Sequence, residues 1–156
     1  MIQISLSKQT LTLSSPQRHI EYSISTATNG VGQLSGSGCT PLGAHYIRAK
    51  IGVDQPEGTV FVGRRPTGEV YSEALAITYP ERDWILSRIL WLSGAEVGIN
   101  RLGNVDTMRR YIYIHGTPDT EPMGVPRSHG CIRMRNKDVI HLFNYTPVGT
   151  AVSIIL

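Results

Sequence analysis

Residues 111–136 read YIYIHGTPDTEPMGVPRSHGCIRMRN and carry most of the information on architecture and chemistry. The β-branched and aromatic residues 111–114 predict a strand that ends at His115. A loop rich in Pro and Gly follows, and residues 128–131, Ser-His-Gly-Cys, come shortly before a segment that is typical of a helix. A strand end and a loop beside a helix hold side chains rigidly yet leave them open to a substrate. This segment is therefore the first candidate for a functional site.

The rest of the chain favours strands separated by turns. In residues 19–27, for example, Ile20, Tyr22 and Ile24 alternate with polar residues, so one face of the sheet is expected to contact solvent. Residues 28–43 are dense in glycine, which predicts a long irregular loop. Strands are predicted at residues 2–6, 11–13, 19–27, 44–51, 60–62 and 150–155.

A first helix is predicted over residues 80–92. Pro80 suits a first helical turn, and Gly94 lies where a helix would stop. The apolar residues of this segment cover more than half of the helical circumference, which indicates burial in the core. The alternative is that Trp84 or Trp91 lines a substrate groove.

A second helix is predicted after Asn136, a favourable cap, and through Phe143. With strands dominating elsewhere, the fold class is expected to be mainly β, a sandwich or partly closed barrel with one or two short helices. The length of 156 residues suits a single domain, 1–156.

The composition is that of a globular protein. Charged residues make up 17% of the chain and hydrophobic residues 40%. The net charge is +3, but the basic residues are spread along the chain, which argues against a nucleic-acid partner. Only Lys8, Lys50 and Lys137 among the 15 basic residues are lysine. Arginine suits carboxylate ligands better than lysine does, although solvated surface arginine is an equally good explanation.

The ends and cysteines bear on location. Residues 1–6 alternate like a strand and do not resemble an export signal, so a cytoplasmic location is expected, or a periplasmic one if the sequence is trimmed. No apolar run approaches the roughly 20 residues that span a bilayer, so no membrane association is expected. The chain has only two cysteines, which makes a disulfide framework improbable.

Cys131 is the candidate nucleophile. A free thiol has a pKa of about 8.5 and is only a few per cent thiolate at neutral pH, so it needs a neighbouring imidazole. His115 and His129 are both candidates for this base. Neighbouring side chains on an extended segment tend to point apart, so His129 is poorly placed and is assigned a supporting hydrogen-bond role. His115 arrives from another strand and is assigned the role of base.

The residues around the cysteine suit an acyl-transfer site. Gly130 allows close backbone approach, and the amides of Gly130 and Cys131 are predicted to stabilise an oxyanion. Arg133 is predicted to hold a substrate carboxylate.

Three other interpretations of these residues stay open at this point. Cys131 is an ordinary buried thiol in one, and His115 and His129 are structural in another. In the third, the same three residues bind zinc, but no paired cysteine or fourth ligand accompanies them, so no metal or other cofactor is expected. Cys39 is expected to be a small packed residue.

The chain resembles the L,D-transpeptidases of the YkuD type, whose hallmark is a His, a loop and then Ser/Thr-His-Gly-Cys. The matching residues here are His115-Gly116 and the Ser-His-Gly-Cys of residues 128–131. Residues 25–26 and 40–43 are similar to an early loop of that family. Many members carry Asn where this chain has Arg133.

The resemblance implies a mechanism. In the family, the cysteine attacks the carbonyl of the third residue of a peptidoglycan stem peptide, usually a diamino acid with an L centre, expels the terminal D-alanine and forms a thioester. It further implies that the Gly116 carbonyl orients His115. Tyr113 lies on the same strand face as His115 and is therefore expected to wall the site, although core packing is an equal alternative for it. The residues expected to shape the pocket are Ser128, His129, Gly130 and Arg133.

The resemblance leaves the acyl acceptor open. Water gives an L,D-carboxypeptidase that trims a tetrapeptide or muropeptide, and this activity, in muropeptide recycling, is the one expected here. An amine gives a transpeptidase that forms 3-3 cross-links in the cell wall, and a catalytically silent domain that binds wall peptides is a further alternative. β-Lactams of the carbapenem class are expected to be possible covalent inhibitors.

Overall fold

The computed structural model describes residues 1–156, and its regular structure is mainly strand. Neither of its two helices has the length and apolarity needed to cross a membrane. In chain order, the elements are β1 (Ile2–Ser5), β2 (Thr10–Ser15), β3 (Arg18–Ser25), β4 (Gly43–Ile51), β5 (Thr59–Val62), β6 (Arg65–Val70), α1 (Glu73–Thr78), β7 (Ile85–Gly94), β8 (Tyr113–Thr117), β9 (Ile132–Arg135), α2 (Asn136–Tyr145) and β10 (Ala151–Ile155).

All ten strands form one sheet, in the order β4-β10-β1-β2-β3-β9-β8-β7-β5-β6. Because β4 also pairs with β7, eight of the strands close into a barrel, and β5 and β6 extend outward from β7 as a hairpin. The pairs β1–β10 and β8–β9 are parallel, and the others are antiparallel. The expected fold class is confirmed: a mainly β barrel of mixed strands with two short helices.

Alternation along the strands fills the barrel. Ile2 and Ile4 of β1 and Leu11 and Leu13 of β2 are buried, because side chains two positions apart point to the same face of a sheet. They belong to a core of 19 buried residues. Helix α2 packs against β7, β8 and β9 and contributes part of that core through one apolar face. Its buried residues are Asn136, Val139, Leu142 and Phe143.

Most of the predicted strands are confirmed. The opening hairpin is β1 and β2, residues 44–51 lie in β4, residues 60–62 in β5, and the last strand is β10. In β3, Glu21 and Ser23 are exposed as expected. Ser25 is buried instead, because its hydroxyl donates a hydrogen bond to the Val125 carbonyl at 2.7 Å.

The predicted helix over residues 80–92 is wrong. Residues 80–84 are a loop, and the apolar run that follows is β7. A short continuous apolar run fits a buried helix or a strand covered on both faces, and periodicity alone does not distinguish them. Here both faces of β7 are covered: Leu90 and Leu92 lie in the 19-residue core together with residues of α2, and Ile89 packs with Phe61 and Tyr113 in a smaller cluster. Ser87, with φ of 70°, bulges out of the pairing with β8.

The predicted second helix is confirmed as α2, but its cap is not the expected one. The residue before the helix is Arg135, and no side chain caps the first turn. Asn136 is instead the first helical residue, and its side chain bonds the Thr117 carbonyl at 3.0 Å. The six-residue helix α1 was not expected, although Ser72 caps it by accepting from the Leu75 amide at 3.1 Å.

Candidate active site

The parallel pairing of β8 with β9 brings the candidate nucleophile and base together. Ile114 lies opposite Ile132 and His115 opposite Arg133, so Cys131, just before β9, lies beside the strand that carries His115. Both side chains line a cavity of about 320 Å³. Of the eight site residues predicted from the sequence, six line this cavity. These are Tyr113, His115, Ser128, His129, Cys131 and Arg133.

His115 is buried and held by one short hydrogen bond. Its Nδ1 lies 2.6 Å from the Gly116 carbonyl oxygen, which can only accept, so Nδ1 carries the proton and Nε2 is left as a proton acceptor. Burial lowers the pKa of this imidazole below its usual value, because desolvation disfavours the charged ring. The ring is therefore neutral at pH 7, as a general base requires.

Gly116 is necessary for this placement. A Cβ added there would lie 2.5 Å from the Asn136 Oδ1 atom and 2.6 Å from the Leu86 carbonyl oxygen. Both are inside van der Waals contact. The glycine thus lets α2 and β7 approach the backbone immediately after His115, where a larger residue would not fit.

The Cys131 thiol is half-buried and hydrogen-bonded to backbone. Its Sγ donates to the Tyr111 carbonyl and accepts from the Tyr113 amide, each at 3.3 Å. Burial raises the pKa of the thiol to about 11, with a smaller upward contribution from Asp83. The resting pair is therefore a neutral thiol and a neutral imidazole, and ionisation of the sulfur requires proton transfer to His115.

The loop before Cys131 is tightly folded. The Ser128 hydroxyl donates to the Cys131 carbonyl at 2.6 Å and accepts from the Gly130 amide at 3.2 Å. Gly130 has φ of 134°, a conformation that favours glycine, and the Cys39 carbonyl oxygen lies 3.2 Å from where its Cβ would be. Since the Gly130 amide already has a partner, the Cys131 amide is the one unpaired donor of the predicted oxyanion pair.

Hydrogen bonds join the early loop, residues 25–26 and 40–43, to the segment that carries Cys131. The Thr40 hydroxyl donates to the Gly130 carbonyl at 3.0 Å and accepts from the Ala27 amide at 3.1 Å. The Arg127 amide donates to the Ser25 hydroxyl at 3.0 Å. The sequence similarity at residues 25–26 and 40–43 thus corresponds to contacts with the segment that carries Cys131.

Arg133 has carboxylate partners within the chain. Its guanidinium lies 3.3 Å from Asp83 Oδ1 and 3.8 Å from Glu121 Oε2. A substrate carboxylate would have to share these contacts, so the predicted role of Arg133 stays a prediction. Asp83, which also lines the cavity, was missed as a site residue because it fell in the wrongly predicted helix.

Tyr113 and His129 occupy different surroundings. Tyr113 lines the cavity and also packs in a small core with Phe61 and Ile89. A position in the cavity wall and core packing therefore do not exclude each other for this residue. The ring of His129 makes no hydrogen bond within the chain, and its supporting role stays a prediction. His129 also lines a second cavity of about 360 Å³ together with Arg109 and Arg110.

The arrangement of side chains bears on the zinc alternative and on Cys39. No group of three or more His, Cys, Asp or Glu side chains is arranged to hold a metal ion. Cys39 is a free, half-buried thiol whose Sγ lies 3.6 Å from the carbonyl oxygens of Asn29 and Ser37. Its environment is that of a packed residue in the early loop.

A barrel that carries these residues on and beside one parallel strand pair has a counterpart among known protein families. Residues 1–154 match the family model of the YkuD L,D-transpeptidase catalytic domain, and the chain belongs to that family.

Individual relatives match shorter segments. A putative L,D-transpeptidase, YqjB, from Bacillus subtilis is 56% identical over 41 residues, which cover 26% of this chain and 23% of that protein. A probable L,D-transpeptidase, ErfK/SrfK, from Salmonella typhimurium is 50% identical over 46 residues, 30% of this chain and 15% of that protein. The aligned segments thus span less than a quarter of either relative.

The fold is shared with solved structures. L,D-transpeptidase 3 from Mycobacterium tuberculosis, in complex with a faropenem-derived adduct, superimposes with a TM-score of 0.58 at 17% identity. The match covers 99% of this chain and 59% of that chain.

Proposed function

We propose that this chain is an acyl-transfer enzyme of peptidoglycan stem peptides, in which Cys131 forms a thioester that water then hydrolyses. The observation that carries the proposal is the cavity shared by Cys131 and His115, with Nδ1 of the histidine bonded to the Gly116 carbonyl. A neutral imidazole with a free Nε2 beside a neutral thiol is the arrangement of a nucleophile and its general base.

The proposed reaction has two half-steps. As the Cys131 sulfur attacks the carbonyl carbon of the third stem residue, its proton passes to His115 Nε2, and the Cys131 amide donates to the developing oxyanion. The tetrahedral intermediate collapses when His115 returns that proton to the nitrogen of the departing D-alanine, which breaks the peptide bond and leaves a thioester. Water then loses a proton to His115 and attacks the thioester. The C–S bond breaks as His115 returns that proton to the Cys131 sulfur, which releases a tripeptide acid and restores the free thiol.

The charges around the site favour water over an amine as acceptor. The second cavity, which His129 also lines, has Arg109 and Arg110 in its wall and no carboxylate. In the first cavity the one carboxylate, Asp83, is already paired with Arg133. A positively charged amine would approach Cys131 without a free acidic partner, whereas water meets no such barrier. The setting that we propose for this hydrolysis is muropeptide recycling in the cytoplasm.

Transpeptidation is the second candidate, and the names of the relatives favour it. Both reactions start from the same tetrapeptide, so product mass separates them. We expect purified protein to convert a stem tetrapeptide to the tripeptide, with loss of D-alanine, whether or not a second stem with a free amine is present. Cross-linked dimer as the dominant product would replace the carboxypeptidase proposal by the transpeptidase one.

A silent binding domain would bind the peptide without reacting. The solved relative with a faropenem-derived adduct supports a covalent test. Incubation with a carbapenem is expected to add the mass of the drug to the peptide that contains Cys131. The Cys39→Ser variant should be modified to the same extent, while Cys131→Ala should not be modified. A protein that binds tetrapeptide but neither cleaves it nor takes up the drug would be a binding domain.

A further inference from the structure

Arg64 is presented to the active-site cavity by a tight turn. Strands β5 and β6 pair Val62 with Arg65, so Gly63 and Arg64 are the two central residues of the hairpin. Their φ angles of 56° and 64° are those of a type I′ turn, whose twist matches the flanking strands. Both residues line the same cavity as Cys131. The hairpin therefore ends at the candidate active site.

The Arg64 guanidinium is held in place by aromatic residues. Its Nη1 donates to the Tyr113 hydroxyl at 2.9 Å. Its Cζ lies 4.9 Å from the ring centroid of Trp91 and 4.8 Å from that of Tyr111, within the range of cation–π attraction. These contacts reduce the freedom of the side chain before any ligand arrives, which lowers the entropic cost of binding.

Arg64 differs from the other two arginines of the cavity in having no acidic or carbonyl partner. Arg133 is paired with carboxylates, and Arg110 donates to the carbonyl oxygens of residues 32, 33 and 39. A guanidinium has five N–H donors, and Arg64 uses one of them, on a phenol. Donors prepared in this way and left unpaired in a substrate cavity suit a planar carboxylate.

We propose that Arg64 binds a carboxylate on the side chain of the diamino acid whose carbonyl Cys131 attacks, and so selects stem peptides that carry this group in its charged form over those in which it is amidated or absent. The inference rests on the proposed function for the identity of the substrate. Arg64 lies on an exposed turn beside Tyr111, which is 53% exposed, so it stands at the mouth of the cavity. The terminal carboxylate of the D-alanine is only one residue beyond the attacked carbonyl, and Arg133 is the residue predicted to hold it.

The test measures binding without turnover, in the Cys131→Ala protein. Isothermal titration calorimetry compares three tetrapeptides: the parent, one with a carboxamide on the diamino acid side chain, and one with a C-terminal carboxamide. We expect the side-chain carboxamide to bind roughly tenfold to a hundredfold more weakly than the parent, the usual range for loss of a charge-assisted hydrogen bond. The ratio of the two dissociation constants, side-chain carboxamide over parent, should fall close to one when Arg64→Gln is combined with Cys131→Ala. Arg64→Lys in the same background should keep part of that ratio.

The matched control is Arg65→Gln, which removes an exposed arginine one position away that does not line the cavity. It should keep the full ratio, and thermal unfolding of each variant checks that the hairpin is intact. The inference would be overturned by any of three results. These are a ratio that Arg64→Gln leaves unchanged, a larger loss of affinity from the C-terminal carboxamide than from the side-chain one, and no binding of any peptide. Turnover by the wild-type protein reports separately: selective binding without cleavage refutes the proposed function alone, and cleavage without Arg64-dependent selectivity refutes this inference alone.

Discussion

Replacing His115 by glutamine should separate two reactivities of Cys131. Glutamine keeps an amide N–H that can donate to the Gly116 carbonyl, but it cannot take a proton. With a pKa of about 11, the thiol is ionised to only about one part in ten thousand at pH 7, roughly three hundredfold less than a free thiol with a pKa of about 8.5. Since His115 is neutral at rest, it does not maintain a thiolate that its loss would remove.

We therefore expect His115→Gln to lower tetrapeptide turnover by about 10²-fold to 10⁴-fold, the usual contribution of a general base. Alkylation of Cys131 by iodoacetamide at pH 7 should change by only a few-fold, because that reaction draws on the small fraction of free thiolate. In the wild-type protein the alkylation rate should keep rising with pH beyond pH 9.

The assay is mass spectrometry of the peptide that contains Cys131, in a Cys39→Ser background that leaves one thiol to label. Turnover of the stem tetrapeptide is measured on the same preparations. Fast alkylation at pH 7 that collapses in His115→Gln would mean that the resting site is a thiolate–imidazolium pair. The inference of a neutral pair from burial would then be wrong, although Cys131 would remain the nucleophile.

Three further predictions concern stability. Asn136→Ala should lower the free energy of unfolding by about 2–4 kcal/mol in denaturant titrations, because the buried Ser87 hydroxyl loses its 2.6 Å partner and β7 its link to α2. Gly130→Ala should cost about 1–3 kcal/mol in the same assay and slow turnover, since alanine is strained at φ of 134°. Burial lowers the pKa values of His45 and His115 in the folded state, so the unfolded chain binds more protons as the pH falls. The free energy of unfolding should be nearly constant between about pH 7 and 8 and decrease as the pH falls below about 6.5; an increase between pH 6.5 and 5 would contradict this reasoning.

The strands with one solvated face could be predicted from the sequence, because each has an alternating pattern of its own. Strand β7 could not, since a strand covered on both faces loses its alternation and its apolar run fits a helix equally well. Closure of the barrel through the pairing of β4 with β7 is a contact between segments about 40 residues apart, and no local pattern encodes it.

The candidate site divides in the same way. Cys131 and His115 could be named from a motif, because its residues all lie within the short segment 115–131. Arg64 and Asp83 could not, since they reach the cavity from a hairpin and a loop that are distant in sequence. The parallel register of β8 with β9 decides which side chains share the cavity, and this register could not be predicted from the sequence.

The neutral resting pair bears on how a reactive cysteine can remain intact between turnovers. Oxidants and alkylating agents attack the thiolate, so a thiol whose pKa is raised to about 11 is a poor target for them at neutral pH. A bound acyl substrate is attacked nonetheless, because deprotonation by His115 occurs together with bond formation and needs no free thiolate. The hydrogen bond from Sγ to the Tyr111 carbonyl keeps the proton on sulfur in the absence of substrate. Burial thus lowers reactivity toward small reagents while His115 preserves reactivity toward a substrate aligned in the cavity.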